Sequence, residues 1–159
     1  MTEDITVQIQ VQSYYYRGQI IGDLIYVERL IDEFISRHLC ETTEKQKEIF
    51  ELILANERMG FSNKIQVFEF IIRTHKKEFL TSVPNMFSNL KNLNEERNIV
   101  AHYILDTSEN ARKAFQKSKS IGFVKFRNST ETLWRSNDDY LKFKGLLSKS
   151  NKQLIELLK

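Results

Sequence analysis

The sequence has few of the residues that build disulfide-rich, metal-bound or all-β proteins. Its 159 residues include one cysteine, Cys40, which can form neither an internal disulfide nor a cysteine-based zinc site. The three histidines, His38, His75 and His102, are too scattered along the chain to suggest a metal site. Five glycines and one proline are too few for the many turns of a barrel or a sandwich, so we expect a mainly helical fold.

The chain also lacks a long apolar run and a basic, apolar N-terminal leader. We therefore expect a cytoplasmic protein with no membrane partner. Hydrophobic residues make up 41% of the chain, enough for the core of one compact domain over residues 1–159.

The net charge of +3 is too small to indicate a nucleic-acid-binding protein by itself, but it is unevenly distributed. Residues 1–106 carry 12 Lys and Arg against 16 Asp and Glu, whereas residues 107–159 carry 12 against 5. Basic side chains in this last third either follow a phosphate backbone or form a solvated face. They are Arg112, Lys113, Lys117, Lys119, Lys125 and Arg127.

Hydrophobic periodicity predicts helices over the first two thirds of the chain. Residues 5–12 are an exception, because their alternation of apolar and polar side chains favours an edge strand or an extended arm over residues 1–12. Apolar residues at steps of three and four then predict a long helix over 13–39 and a second helix over 43–58. A third helix is expected to begin with Ser62 as its N-cap.

The remaining chain is expected to contain two further main helices and a β-hairpin. Pro84 fits the first turn of a fourth helix that ends near Tyr103. A polar stretch with room for one short helix follows, and then a hairpin over 121–135 that is rich in aromatic and branched residues. The last helix is expected over 137–158, capped by Asn137 or Asp138. The fold class is therefore mainly α, a bundle of four to six helices with a small C-terminal β-hairpin.

The fourth helix contains the most informative segment, residues 94–103, which read NEERNIVAHY. Arg97 is followed by the polar residue Asn98, and four residues separate Arg97 from His102. This spacing, in a helix that follows three amphipathic helices, resembles the HEPN superfamily of helical-bundle domains. Its signature is an Arg, usually followed by a polar residue, and a His four to six residues on. The resemblance covers about residues 14–106. The order of the helices in this region is similar to that of bacterial members of the superfamily.

The resemblance implies a metal-independent ribonuclease of the kind found in toxin and phage-defence proteins, with no cofactor and no metal. RNA carries its own nucleophile, the 2′-hydroxyl, and imidazole exchanges protons near neutral pH. We expect His102 to act as general acid or base in forming a 2′,3′-cyclic phosphate. Arg97 would neutralise charge on the phosphoryl oxygens, and Asn98 would orient the imidazole or the phosphate.

Helix geometry indicates that one chain does not complete this catalytic site. Residues five apart on an ideal helix are rotated by about 500°, so Arg97 and His102 point about 140° apart. Either the backbone is perturbed near the motif or a second subunit completes the site across a twofold axis. We expect a homodimer, with RNA as the candidate substrate and an antitoxin protein as a further partner.

Two readings without catalysis compete with this hypothesis. One is a non-catalytic HEPN module that binds a nucleotide, RNA or a protein partner, and the other is a purely structural helical dimer. In both, His102 is a core or interface residue, and Arg97 pairs with Glu95, Glu96 or an acid of the first helix. The Tyr14-Tyr15-Tyr16-Arg17 cluster either stacks nucleic-acid bases or packs against neighbouring elements.

Overall fold

The chain folds mainly into α-helices. The computed structural model describes residues 4–55, 59–125 and 131–159. Seven α-helices lie in that part of the chain: α1 Ile5–Leu39, α2 Thr43–Ile49, α3 Phe61–His75, α4 Lys77–Ser82, α5 Met86–His102, α6 Glu109–Ser118 and α7 Asn137–Leu158. The strands of the described residues are β1 Ile104–Asp106, β2 Ile121–Val124 and β3 Thr132–Arg135. The predicted mainly α fold with a small C-terminal hairpin is confirmed. The six-residue α4 was not expected and accounts for the extra helix.

Two compact units make up the chain, and each is built from two separate stretches. The first unit combines Met1–Asp23 with Glu95–Gly145, and the second combines Leu24–Asn94 with Leu146–Lys159. Each unit buries apolar side chains from both of its stretches. Buried residues of the first unit include Ile9, Tyr16, Ile20, Val100, Phe115 and Phe123, and those of the second include Leu24, Ile31, Ile65, Phe68, Leu93 and Leu154.

The prediction of a strand or extended arm at residues 5–12 is wrong, because this segment is the first part of α1. A carboxylate oxygen of Asp4 accepts a hydrogen bond from the backbone N–H of Thr6 at 2.9 Å, which satisfies one of the unpaired donors at the helix start. The inner face of α1 also begins in this segment, with buried residues at steps of four and three: Ile9, Ser13 and Tyr16.

An apolar stripe on the opposite side of α1 explains why the pattern suggested a strand. Val7 is 40% exposed, Val11 59% and Tyr14 70%. These residues and Gly18 recur at steps of four, three and four, so they share one face of the helix. A Cβ added at Gly18 would meet no atom within 4 Å, which shows that this face is open there. We call Val7, Val11, Tyr14 and Gly18 the outer stripe of α1.

The start positions of α3 and α5 differ slightly from the predicted ones. Gly60, rather than Ser62, is the N-cap of α3, because Phe61 is buried and belongs to the first helical turn. α5 begins at Met86, two residues after Pro84, and Met86 is fully buried.

The second helix changes from α-helical to π-helical after about two turns. Thr42 is its N-cap, and its hydroxyl accepts a hydrogen bond from the Lys45 N–H at 3.4 Å. The segment Phe50–Leu54 is π-helical instead of α-helical, and it buries only Leu54. The end predicted near Arg58 lies outside the described residues.

α7 has the bounds that the sequence predicted, but its cap is Ser136 rather than Asn137 or Asp138. The Ser136 hydroxyl accepts a hydrogen bond from the Asp139 N–H at 3.3 Å, and the Asp139 carboxylate accepts one from the Ser136 N–H at 2.9 Å. This reciprocal pair satisfies two backbone donors, which fixes where α7 begins.

The strands form an antiparallel sheet in the order β1-β2-β3. β2 and β3 are the two sides of the predicted hairpin, with Phe123 opposite Leu133, while the predicted connection over 127–129 lies outside the described residues. β1 was not expected, and it follows α5 almost directly. Gly122 is required in β2, because a Cβ there would lie 2.6 Å from Cγ2 of Thr132.

A buried charge cluster joins α3 to α1 in the second unit. Lys64 Nζ donates to Oε1 of Glu28 at 2.6 Å and to Oδ2 of Asp32 at 2.8 Å. Lys64 and Asp32 are both 3% exposed. Burial raises the pKa of Asp32, and the hydrogen bond from Lys64 opposes that rise. The lysine therefore compensates charge that the protein would otherwise bury without a partner.

We predict that Lys64→Ala destabilises the protein by about 3–5 kcal/mol, because two carboxylates then lose the buried cation that both of them contact. Urea unfolding followed by circular dichroism measures this change. The control is Lys47→Ala, which removes an exposed lysine 3.8 Å from Glu51 and is expected to change stability by less than about 0.5 kcal/mol. Equal effects of the two substitutions would contradict the role given to Lys64.

Candidate functional site

The motif residues of α5 lie at its C-terminal end. The buried side of α5 is apolar and includes Leu90, Leu93 and Val100. Arg97 and Asn98 are half-buried, whereas His102 is exposed and is the last residue of the helix. His102 is therefore not a core histidine of this chain, and its imidazole is accessible to a ligand.

α5 is helical throughout the motif, so the angular separation expected from the sequence applies. Asn98 and His102 are four residues apart and lie about 40° from each other, on one exposed side of the helix. Arg97 is rotated by about 140° from His102. The structure thus brings Asn98 and His102 onto a common face and leaves Arg97 on another.

The Glu96 carboxylate, next to Arg97, accepts three hydrogen bonds from other elements of the first unit. Its carboxylate accepts hydrogen bonds from Nε of Arg135 at 2.7 Å and from Nη2 of Arg135 at 2.8 Å. The Tyr16 hydroxyl also donates to Glu96, at 2.9 Å. This carboxylate therefore joins α5 to β3 and to α1 within the first unit.

The charges of this cluster agree with its geometry. Burial raises the pKa of Tyr16, and the negative charge of Glu96 raises it further. The hydrogen bonds to Glu96 raise the pKa of Arg135. Arg135 and Glu96 thus form a persistent ion pair whose side chains are 18% and 15% exposed.

Arg97 has no such partner. Within the described residues, the side chains of Arg97, Asn98 and His102 make no hydrogen bond or ion pair. The alternative in which Glu96 neutralises Arg97 is wrong, because Arg135 and Tyr16 occupy that carboxylate. The guanidinium of Arg97, the residue after Glu96, is therefore half-buried and has no carboxylate partner among the described residues.

Arg17 holds the end of α5. Its guanidinium donates to the carbonyl oxygen of Val100 and, at 2.8 Å, to the carbonyl oxygen of Tyr103. It also lies 4.9 Å from the centre of the Phe123 ring. Carbonyl groups in the last turn of a helix lack partners within the helix, and a cation there also complements the helix dipole. Arg17 thus fixes the turn that carries His102.

The three tyrosines before Arg17 differ in burial: one packs inside the fold, and two are exposed and could stack on a base. Tyr16 is buried, with its ring centre 6.1 Å from that of Phe123, so it packs. Tyr14 and Tyr15 are 70% and 59% exposed, and neither makes an aromatic contact within the described residues. Only these two remain available to a ligand or to another chain.

A pocket of about 170 Å³ lies beside the Glu96 cluster in the first unit. Its lining combines aromatic rings, two cations and two amides: Tyr15, Tyr16, Tyr140, Lys119, Arg135, Gln12 and Asn137. Glu96 neutralises Arg135, whereas Lys119 has no acidic partner among the described residues and lies 4.7 Å from the centre of the Phe115 ring. Lys119 also adopts a positive φ of 54°, an uncommon conformation for a residue with a side chain. The pocket therefore offers an exposed ring and one unneutralised cation.

The basic residues singled out in the last third do not form one contact network. Arg112 and Lys117 are exposed on α6, and Lys113 pairs with Glu109 at 2.7 Å. Lys125 is exposed, and Arg127 lies outside the described residues. Of this group, only Lys119 lines the pocket.

Within residues 4–55, 59–125 and 131–159, no three His, Cys, Asp or Glu side chains are grouped closely enough to hold a metal ion. No helix in these ranges is long and apolar enough to cross a membrane. Comparison with protein-family models, with curated proteins and with solved structures found no match to the chain.

We predict that Glu96→Ala destabilises the protein by about 1–3 kcal/mol, because it leaves the half-buried Arg135 without its carboxylate. Thermal or urea unfolding measures the change. The matched control is Glu95→Ala, which removes the neighbouring, exposed glutamate of the same helix and is expected to change stability by less than about 0.5 kcal/mol. If Glu95→Ala lowers the free energy of unfolding as much as Glu96→Ala does, Glu96 does not hold α5 to β3 in the way described.

Proposed function

We propose that the protein is a cytoplasmic, metal-independent endoribonuclease of the HEPN type, with a toxin or phage-defence role. Its catalytic residues are Arg97, Asn98 and His102. The observation that carries this proposal is that Arg97, on the same helix as the accessible imidazole of His102, has no carboxylate partner among the described residues. A half-buried guanidinium with a purely structural role would be expected to hydrogen-bond within the fold.

The chemistry needs only groups that RNA and these residues supply. His102 takes the proton of the 2′-hydroxyl or donates one to the leaving 5′-oxygen, and water or His102 of the partner subunit makes the other transfer. The 2′-oxygen attacks the adjacent phosphorus, and the 5′-oxygen leaves, which produces a 2′,3′-cyclic phosphate and a 5′-hydroxyl end. Arg97 stabilises the charge that builds on the phosphoryl oxygens, and Asn98, on the same face as His102, orients the imidazole or the phosphate.

A homodimer is part of the proposal. The 140° between Arg97 and His102 leaves the one-chain site incomplete, so a second copy is needed to complete it. The outer stripe of α1 supports self-association, since exposed Val11 and Tyr14 would be covered in an assembly. In a toxin, an antitoxin protein would be a further partner that blocks access to His102.

A second candidate function is a non-catalytic module that binds a nucleotide or RNA. The pocket beside Glu96 favours it, because Tyr15 offers an exposed ring for stacking and Lys119 an unneutralised cation for a phosphate. Gln12 and Asn137 add hydrogen-bonding groups that suit the edge of a base. This function differs from the first in leaving bound RNA intact.

We predict that His102→Gln lowers the rate of single-stranded RNA cleavage by about 10²–10⁴-fold, the usual contribution of general acid–base catalysis. Arg97→Ala is also expected to abolish detectable cleavage, and EDTA is expected to leave the wild-type rate unchanged. The assay is gel analysis of labelled RNA, with circular dichroism to establish that each variant keeps its helical content.

His75→Gln is the matched control, because it removes another exposed histidine at the end of a different helix and is expected to cleave like the wild type. If the folded wild-type dimer leaves varied RNA pools intact, the ribonuclease proposal is wrong. RNA or nucleotide binding that Tyr15→Ala or Lys119→Ala weakens would then favour the binding module.

The dimer is tested by sedimentation at tens of micromolar protein. We expect a twofold dimer for the wild type and a shift towards monomer for Tyr14→Glu, which places a charge on the outer stripe of α1. A wild-type protein that is only monomeric under these conditions contradicts this part of the proposal.

A further inference from the structure

The structure brings together two of the histidines that looked scattered in the sequence. His38, near the end of α1, and His75, the last residue of α3, have ring centres 4.8 Å apart. His38 also stacks on Phe34, with a ring separation of 6.2 Å and nearly parallel planes. No carboxylate of the described residues hydrogen-bonds to either imidazole. If both rings were protonated, their charges would repel each other without a counter-ion.

A groove of about 700 Å³ adjoins this pair in the second unit. We call it the α3-end groove. Its polar and charged lining includes Thr74, His75, Lys76, Lys77, Glu78 and Lys159. Glu156 also lines the groove and pairs with Lys159 at 2.7 Å, so these two charges cancel. Lys76 and Lys77 are then opposed by a single acid, Glu78.

The charges around the imidazoles come from three directions. α1 contributes Arg37, which is held by Glu33 and by the carbonyl oxygen of Leu158. The end of α3 and the start of α4 contribute Lys76, Lys77 and Glu78, and the end of α7 contributes the balanced pair of Lys159 and Glu156. Lys76 Nζ lies 5.9 Å from the centre of the Phe34 ring, on which His38 stacks. The groove therefore has an excess of positive charge even with both imidazoles neutral.

Protonation of His38 is disfavoured in this setting. Burial lowers the pKa of His38, and the nearby His75 and Lys76 lower it further. A bound anion would reverse the effect of these charges, because it stabilises the protonated imidazole. Anion binding and proton uptake are therefore expected to be coupled.

We propose that the α3-end groove binds a small, multiply charged phosphate-type anion, with Lys76, Lys77 and the imidazole of His75 as its ligands. His38 does not line the groove, and it acts on the bound anion through its contact with His75. The ammonium and imidazolium N–H groups are suited to phosphate oxygens, and the Thr74 hydroxyl adds a neutral donor. A metal ion shared by the two imidazoles is a less favourable occupant, because the lysines repel it. This site is separate from the proposed ribonuclease residues, and neither proposal depends on the other.

Calorimetric titration of the full chain with inorganic pyrophosphate tests the proposal. Pyrophosphate itself gains a proton between pH 8 and pH 6, so the wild type is compared with His38→Gln at constant ionic strength. We expect the ratio of the affinity at about pH 6 to that at about pH 8 to be at least about fivefold higher for the wild type, because one coupled proton on the protein changes affinity by up to about tenfold per pH unit. Titrations in two buffers of different ionisation enthalpy should show more proton uptake on binding for the wild type than for the variant. Absence of binding at both pH values overturns the proposal.

Variants separate the imidazoles from the lysines. His38→Gln and His75→Gln are each expected to weaken the pH dependence, and Lys77→Gln to weaken binding at both pH values. The matched control is Lys142→Gln, an exposed lysine of α7 whose side chain is 79% exposed, and it should bind like the wild type. An unchanged pH dependence in both histidine variants, or equal weakening in the control, contradicts the assignment.

Two further titrations distinguish other occupants. Zn²⁺ titrated alone, without pyrophosphate, that binds the wild type and requires both His38 and His75 would assign the pair to a metal ion instead. Single-stranded RNA that displaces pyrophosphate at comparable phosphate concentration would assign the groove to a nucleic-acid backbone. We expect neither result, since the proposed ligand is small and anionic.

Discussion

One carboxylate, Glu96, determines how α5 presents its last turn. It receives both N–H groups of the Arg135 fork and the hydroxyl of Tyr16, and so connects α5 to β3 and to α1. Arg17, the residue after Tyr16, binds the carbonyl groups at the end of the same helix. These contacts fix the turn in which Arg97, Asn98 and His102 lie. Within the described residues no carboxylate pairs with Arg97, so its guanidinium remains available for an anionic ligand.

Both units contain cations that bind a carboxylate and cations that have no carboxylate partner among the described residues. Lys64, Arg135 and Lys144 each bind a carboxylate at 2.8 Å or less, and these contacts hold α3, β3 and α7 to neighbouring helices. Arg97, Lys119 and Lys77 have no carboxylate partner among the described residues. The three sites considered for ligands all contain such a cation.

Periodicity in the sequence was enough to predict the helical class, the bounds of α7 and both strands of the hairpin. It failed at residues 5–12, because the exposed Val7 and Val11 of the outer stripe created an alternation that normally indicates a strand. β1 was missed because three residues carry little pattern of their own and depend on pairing with β2. At the candidate site, local sequence singled out Arg97, Asn98 and His102, and their roles stay a prediction. It could not identify Arg135 as the partner of Glu96, since 39 residues separate them and only the fold brings them together.

The central claim, that the exposed face of α5 cleaves RNA through the 2′-hydroxyl without a metal, is tested most directly by the chemistry of the cut ends. The measurement is mass spectrometry of single-stranded RNA incubated with the wild-type protein in EDTA, beside the same strand with 2′-deoxyribose at the cut position. The account predicts 2′,3′-cyclic phosphate and 5′-hydroxyl ends, and no cleavage at the deoxyribose position. Cleavage of the deoxy-substituted strand, or products with 3′-hydroxyl ends, would contradict it.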